Sequence, residues 1–252
     1  MNATVSPMLL RLAERGATGA LLRDTGALYL VDGAVVHAES PAAPGIGELL
    51  TNGGRLPAER WREALDKAGP RGQTARYLLD HGCLSGGELE IRHLGALYDA
   101  AYFVLAPGGG PTRFRHGVAH WFGRVRPVGV ADVERESLRR RRYLADLWPH
   151  PQLDAAPPRR RAATGLPAVT RRQQDVLDLA DGRRTPSGIA ARLGRPAFHT
   201  LVDIRRLAAA GHLETPDTAL PPPTAPAWVR DVGDTPDVAL LRRLRDALEA
   251  HL

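Results

Sequence analysis

Residues 170–214, TRRQQDVLDLADGRRTPSGIAARLGRPAFHTLVDIRRLAAAGHLE, constrain the fold most, because each boundary in that stretch carries its own start or stop signal. Thr170 and Gln173 make a T-x-x-Q pair, which satisfies two free N–H groups at a helix start reciprocally. The helix they open runs through Val176, Leu177 and Ala180. It stops at Asp181-Gly182, where glycine takes the left-handed C-cap conformation without a Cβ clash. Thr185-Pro186 opens a second helix, with threonine as N-cap and proline at the first helical position, where its missing N–H costs nothing. Ile189, Ala190 and Leu193 form its buried side and Gly194 ends it. After Gly194-Arg195-Pro196, a third helix sets Phe198, Leu201, Ile204 and Ala208 on one face. Gly211 closes it, and His212-Leu213-Glu214 is expected to begin a strand.

Three capped helices followed by a strand resemble the winged helix-turn-helix of prokaryotic transcriptional regulators, here over residues 169–217. The resemblance makes the third helix the recognition helix, with His199, Thr200, Asp203, Arg206 and Ala210 outward. His, Thr and Arg donate to base edges or phosphates, whereas Asp203 repels phosphate unless it accepts from a cytosine amino group. The better phosphate footprint comes from Arg171, Arg172, Arg183 and Arg184, with Arg195 in the turn and Arg159-Arg160-Arg161 upstream. The expected contacts with double-stranded DNA are therefore Arg171, Arg172, Arg183, Arg184, Arg195, His199, Thr200 and Arg206. The competing expectation is that these helices pack against protein and touch no DNA.

The 252 residues carry a formal net charge of +6 and a pI near 10.2, which favours an acidic partner such as nucleic acid. Lys67 is the sole lysine among the basic residues, so arginine supplies the positive charge. A single cysteine, Cys83, excludes an internal disulfide framework and a multi-cysteine zinc site. No apolar run reaches the roughly 20 residues of a membrane span, and MNATVSPMLL lacks a signal-peptide layout. A cytoplasmic location without membrane association is expected.

Upstream, Ser6-Pro7 caps a short helix ended by Gly16. Three strands follow over residues 18–23, 27–31 and 34–39, separated by Asp24-Thr25-Gly26 and by Asp32-Gly33, a strong hairpin signal. Gly19-Ala20-Leu21, Leu28-Tyr29-Leu30, Asp32-Gly33 and Val36-His37-Ala38-Glu39 together resemble the PATAN family of bacterial signalling domains. The resemblance carries over Gly19, Asp32, Gly33, His37 and Ala38 as motif positions. It implies an effector or protein-interaction module, with Asp32, Gly33, His37 and Glu39 as the expected partner-binding residues, and implies no reaction. A covering helix is expected over residues 45–50.

Residues 49–65 and 78–94 form a weak internal repeat of helix end, glycine turn, leucine and capped second helix. The repeat is similar to the small helical repeats of secretion-ATPase N-terminal domains, some of which bind cyclic di-guanylate, though their ligand-binding pattern is not visible here. A buried helix is expected over residues 93–106, then a strand pair over residues 112–123 folding back on the sheet. Residues 1–130 would thus be one PATAN-like domain, followed by a solvated connector helix over residues 131–148 bearing Arg139-Arg140-Arg141-Arg142. Pro-rich linkers are expected at residues 149–168 and 218–234. A last helix over residues 235–252 would carry an apolar stripe of Val238, Leu241, Leu244, Leu248 and Leu252, suited to homodimerisation or to packing on the body.

Enzyme signatures fail on their own terms. His116 and His120 have zinc-protease spacing, but Gly117 stands where the catalytic glutamate belongs. No G-x-x-x-x-G-K phosphate loop exists, and Cys83 beside His81 in a glycine turn does not make a nucleophile and its base. The expectation is an α+β protein with a small antiparallel sheet and helices, then a mainly α winged helix-turn-helix and a C-terminal helix. Its expected role is a non-enzymatic DNA-binding regulator needing no metal or cofactor. The alternatives are a signalling adaptor and, behind it, a cyclic-dinucleotide sensor.

Overall fold

The computed structural model describes residues 6–214, so the C-terminal apolar stripe and the second proline-rich linker lie outside the described residues. The fold is α+β. Helix α1 (Pro7–Glu14) leads into strands β1 (Gly19–Arg23), β2 (Gly26–Val31) and β3 (Ala34–Glu39). They pair as an antiparallel meander. The β2–β3 turn needs positive φ at both central residues, and Asp32 (51°) and Gly33 (79°) supply it. Only glycine fits the second position, because a Cβ there would stand 2.4 Å from the Ala13 carbonyl oxygen of α1.

Helices α2 (Ile46–Thr51), α3 (Ala58–Ala68), α4 (Thr74–Asp80) and α5 (Gly86–Val104) follow. They realise the internal repeat as two helical hairpins, α2–α3 and α4–α5. Leu56 and Leu84, the leucines after each turn, are both buried in one core with Leu50, Leu78 and Phe122. The expected helix over residues 93–106 is the second half of α5, continuous with the repeat helix before it. Past its first two turns, which carry Glu88, Glu90 and Arg92 at the surface, α5 buries residues on several sides. Leu89 and Ala96 face the helical hairpins, Leu97, Ala101 and Val104 face the sheet, and Tyr102 faces a third cluster. By contributing to three clusters, α5 ties the helical hairpins, the sheet and α9 together.

Strand β4 (Arg113–His116) pairs with β1, giving the order β3-β2-β1-β4. The expected second strand after it does not form. Gly117 turns the chain at φ 70°, and His120 and Phe122 go into the interior from an irregular segment. Helix α6 (Val130–Leu147) is not a solvated connector, since Val130 and Val133 belong to the sheet core and Leu144 is also buried. Its arginine run divides by helical phase. Arg139 and Arg142 stay exposed, whereas Arg140 bonds Asp99 and Arg141 donates to the Tyr102 carbonyl at 2.6 Å.

Residues 149–168 hold a 3-10 turn (Pro151–Asp154) with Leu153 buried, so this segment is packed where a bare linker was expected. The last three helices are α7 (Arg171–Leu179), α8 (Pro186–Leu193) and α9 (Ala197–Ala209). Their starts follow the caps, with Thr170 accepting from Gln173 N–H and Thr185 from Gly188 N–H. Gly182, Gly194 and Gly211 all take positive φ. Among the described residues no helix is long and apolar enough to cross a membrane.

Candidate nucleic-acid interface

Helix α9 begins after Pro196 without a side-chain cap of its own. Its cap comes from Asp99 of α5, 98 residues earlier in the chain, whose Oδ2 accepts from Ala197 N–H and whose Oδ1 accepts from Phe198 N–H at 2.9 Å. Arg140 of α6 donates to the same carboxylate at 3.2 Å and lies over the Phe198 ring at 4.6 Å. Asp99 is fully buried. Burial pushes its carboxyl up, while the two N–H groups and Arg140 oppose that shift. The positive end of the α9 dipole favours the same charge.

Further along α9 the logic inverts. Arg205 is buried, pairs with Asp154 at 2.8 Å, and donates to the Leu144 and Trp148 carbonyls at the end of α6. Those carbonyls are the negative end of that helix, so a cation there is well placed. Between the two anchors, Phe198, Leu201 and Val202 pack with Tyr102 and Leu144. Ile204, Leu207 and Ala208 fill the core of the three-helix unit itself.

Covered on two flanks, α9 keeps a narrower outward face than that expected of a recognition helix, limited to His199, Arg206, Ala209 and part of Ala210. Thr200 is the clearest correction. It is fully buried, with Oγ1 donating to the Pro196 carbonyl at 3.2 Å, because its helical phase points it at the body. Asp203 is also buried and bound by Arg172 at 2.7 Å. His199 and Arg206 do remain exposed. The His199 imidazole is pushed down by partial burial, then by Arg172 and Arg140. Arg206 donates to the Tyr143 hydroxyl at 2.8 Å.

The arginines divide by partner. Arg172, Arg184 and Arg195 are tied to Asp203, Asp181 and Asp175, so their charge is largely spent inside the protein. Arg171 and Arg183 are exposed and have no acidic partner among the described residues. The upstream arginines belong beside them. Arg160 N–H donates to the Ala180 carbonyl, Arg161 N–H to that of His212, and Glu214 N–H to that of Arg159. Leu213, expected to open a wing strand, thus pairs with Arg160. This backbone stitching brings the chain at Arg159, Arg160 and Arg161 beside that at Asp181 to Arg184, an arginine-rich corner in which Arg160, Arg161 and Arg183 are exposed and unpaired among the described residues.

The expected partner-binding set does not form one surface. Gly33 is buried under α1 and His37 is buried, so only Asp32 and Glu39 reach solvent, at opposite ends of β3. A register shift explains His37. Tyr29 pairs with His37 but Leu30 pairs with Val35, which leaves Val36 bulged and puts His37 and Val35 on opposite faces. His37 then stacks on His120 at 3.7 Å and its Nδ1 lies 3.1 Å from His93 Nε2. His120 Nδ1 accepts from Phe122 N–H, which leaves the ring proton on Nε2, donated to Glu39 at 2.8 Å. Tyr29 donates to the other Glu39 oxygen at 3.0 Å, and burial with Glu39 beside it pushes the phenol up to about 12.

Donor atoms of His37, Glu39 and His120 lie within 4.8 Å of one another, a spacing that a metal could use. As arranged, Glu39 and His120 bond each other, and His37 is bonded to His93 outside the trio. Two stacked imidazole planes also cannot both contain one ion, so the cluster is built for hydrogen bonding. Sequence reading missed Asp99, His93 and Arg205. A lone aspartate in the apolar run of α5 is the one signal that could have exposed the first. Cys83 faces the His81 carbonyl at 3.9 Å, while the His81 ring stacks on Tyr77. No family model, no curated protein and no solved structure matches this chain, so the PATAN and winged helix-turn-helix resemblances gain no support from relatives.

Proposed function

We propose that this chain is a non-enzymatic regulatory protein that holds duplex DNA by its phosphates through the arginine corner. Its three-helix unit acts as a fixed arm of the body and does not read bases. The observation that carries this reading is the backbone pairing of Arg159 with Asp181 and of Arg160 with Leu213, which brings arginines that are exposed and unpaired among the described residues close together, while two sides of α9 are covered. Each phosphate neutralised releases counterions, so affinity should fall steeply with salt and depend little on sequence. In this proposal residues 170–214 are a winged helix-turn-helix in form, the sheet domain is the PATAN-like partner-binding part, and the protein works in the cytoplasm.

The adaptor reading rests on a different feature. Ile91 of α5 is 75% exposed beside a groove of about 550 Å³ lined by Leu49, Gly95, Pro196 and His199, an apolar surface of the kind that binds protein. Fluorescence anisotropy of random and genomic duplexes over a salt series separates the two. Binding at low salt with a steep slope and no sequence preference supports the DNA proposal. Absence of binding to every duplex at low salt would leave the adaptor.

A further inference from the structure

A cavity of about 370 Å³ lies between the end of β1, the loop after α5 and one face of α6, and none of the corner's arginines lines it. Two buried polar atoms in residues lining it lack any hydrogen-bond partner among the described residues, and they make opposite demands. Glu134 is buried. Its Oε1 accepts from Ser6 N–H at 2.8 Å, but its Oε2 has no donor. Arg23 gives Nη1 to the Val104 and Ala106 carbonyls at 2.8 and 3.3 Å, but its Nε has no acceptor. A buried polar atom left unsatisfied is costly, which makes each of these a demand for a partner. The two residues form no ion pair with each other, so the cavity holds a separated carboxylate and guanidinium.

α6 builds most of the wall. Glu134, Ser137, Leu138 and Arg141 recur at spacings of three, four and seven, so they share one helical face. Glu134 and Arg141 sit about 10 Å apart along the axis at the helical rise. Leu21, Leu105 and Leu138 supply apolar wall beside these charges.

We infer that this cavity binds a small zwitterion, an α-amino acid with an aliphatic side chain. Its carboxylate would meet Arg23 Nε and Arg141, its ammonium Glu134 Oε2, and its side chain the three leucines. Burial pushes the Glu134 carboxyl up and the Ser6 N–H offsets this only in part, as expected of a carboxylate whose counter-charge is a ligand. The site is independent of the DNA proposal and gives the regulatory protein an effector of stated chemistry.

Calorimetry and thermal denaturation of the full chain with millimolar L-leucine and L-valine test it. 4-Methylpentanoate, which lacks the ammonium, and isopentylamine, which lacks the carboxylate, serve as controls. The expected result is heat of binding and a raised Tm with the amino acids, and little with either control. Glu134→Gln keeps the shape and should fold, yet bind at least about tenfold more weakly. Arg23→Met should lose affinity likewise. No binding of either amino acid, equal binding of the control lacking the ammonium, or unchanged affinity in Glu134→Gln would each overturn the assignment.

Discussion

Replacing Asp99 with alanine tests how the three-helix unit is held. The substitution leaves the Ala197 and Phe198 N–H groups buried without their acceptor and removes one of the two carboxylates around Arg140. Orphaning two donors costs on the order of 1–3 kcal/mol each. Relief of the burial that raises the Asp99 carboxyl returns part of that. The net loss should be about 3 kcal/mol, the lower end of the range for breaking a buried pair, or roughly 6–12 °C in Tm for a chain of this size. Asp99→Asn keeps one carbonyl oxygen and should lose about half as much. Urea unfolding followed by tryptophan fluorescence gives the stability. Hydrogen exchange at the Leu201 and Val202 amides shows whether α9 has loosened. Stability within about 0.5 kcal/mol of the parent, with α9 exchange unchanged, would refute the trans-capping account.

Gly194→Ala should be costly, because φ there is 59° and a Cβ would stand 2.3 Å from the Gly53 backbone nitrogen. A loss above about 2 kcal/mol in urea unfolding is expected. The histidine cluster predicts acid lability. Burial, then His120, holds His93 down to about 4, and burial holds His37 well below its usual value, so the unfolded chain takes up these protons first. Stability is full above about pH 6.5 and falls as pH drops toward 4, by about 3 kcal/mol for His93 alone. A His93→Gln chain should show a shallower decline between pH 7 and 4.5, and an identical decline would contradict the assignment. Arg205→Met strands Asp154 and should cost about 3 kcal/mol by the same unfolding assay.

Local signals were legible and tertiary ones were not. Thr170 with Gln173, Thr185 with Pro186, Gly194, and the Asp32-Gly33 turn act within a few residues of themselves, and each appears where the sequence places it. The Leu56 and Leu84 repeat was readable because both leucines meet the same core. The bulge at Val36 was not. One unpaired residue in β3 reverses the face of His37, and nothing in the alternation announces it. Helical phase alone assigned Thr200 to solvent, since the sequence does not show that α5 and α6 cover a second side of α9. Residues 159–161 read as linker because proline and arginine show no periodicity, yet they pair by backbone, which is indifferent to side-chain pattern. Of the candidate interface, the individual arginines were visible, and their gathering at one corner was not.

In the proposed function the arginine corner, and not α9, makes the contact with DNA. Salt-dependent anisotropy on one duplex tests it with two chains, Arg160→Ala/Arg161→Ala/Arg183→Ala and His199→Ala/Arg206→Ala. Each phosphate contact contributes about 0.9 to the slope of log affinity against log salt. The corner variant should therefore lose about 2–3 in slope, uniformly across sequences, while the α9 variant keeps the parental slope to within about 1. A parental slope in the corner variant, with loss of sequence preference in the α9 variant, would contradict the account.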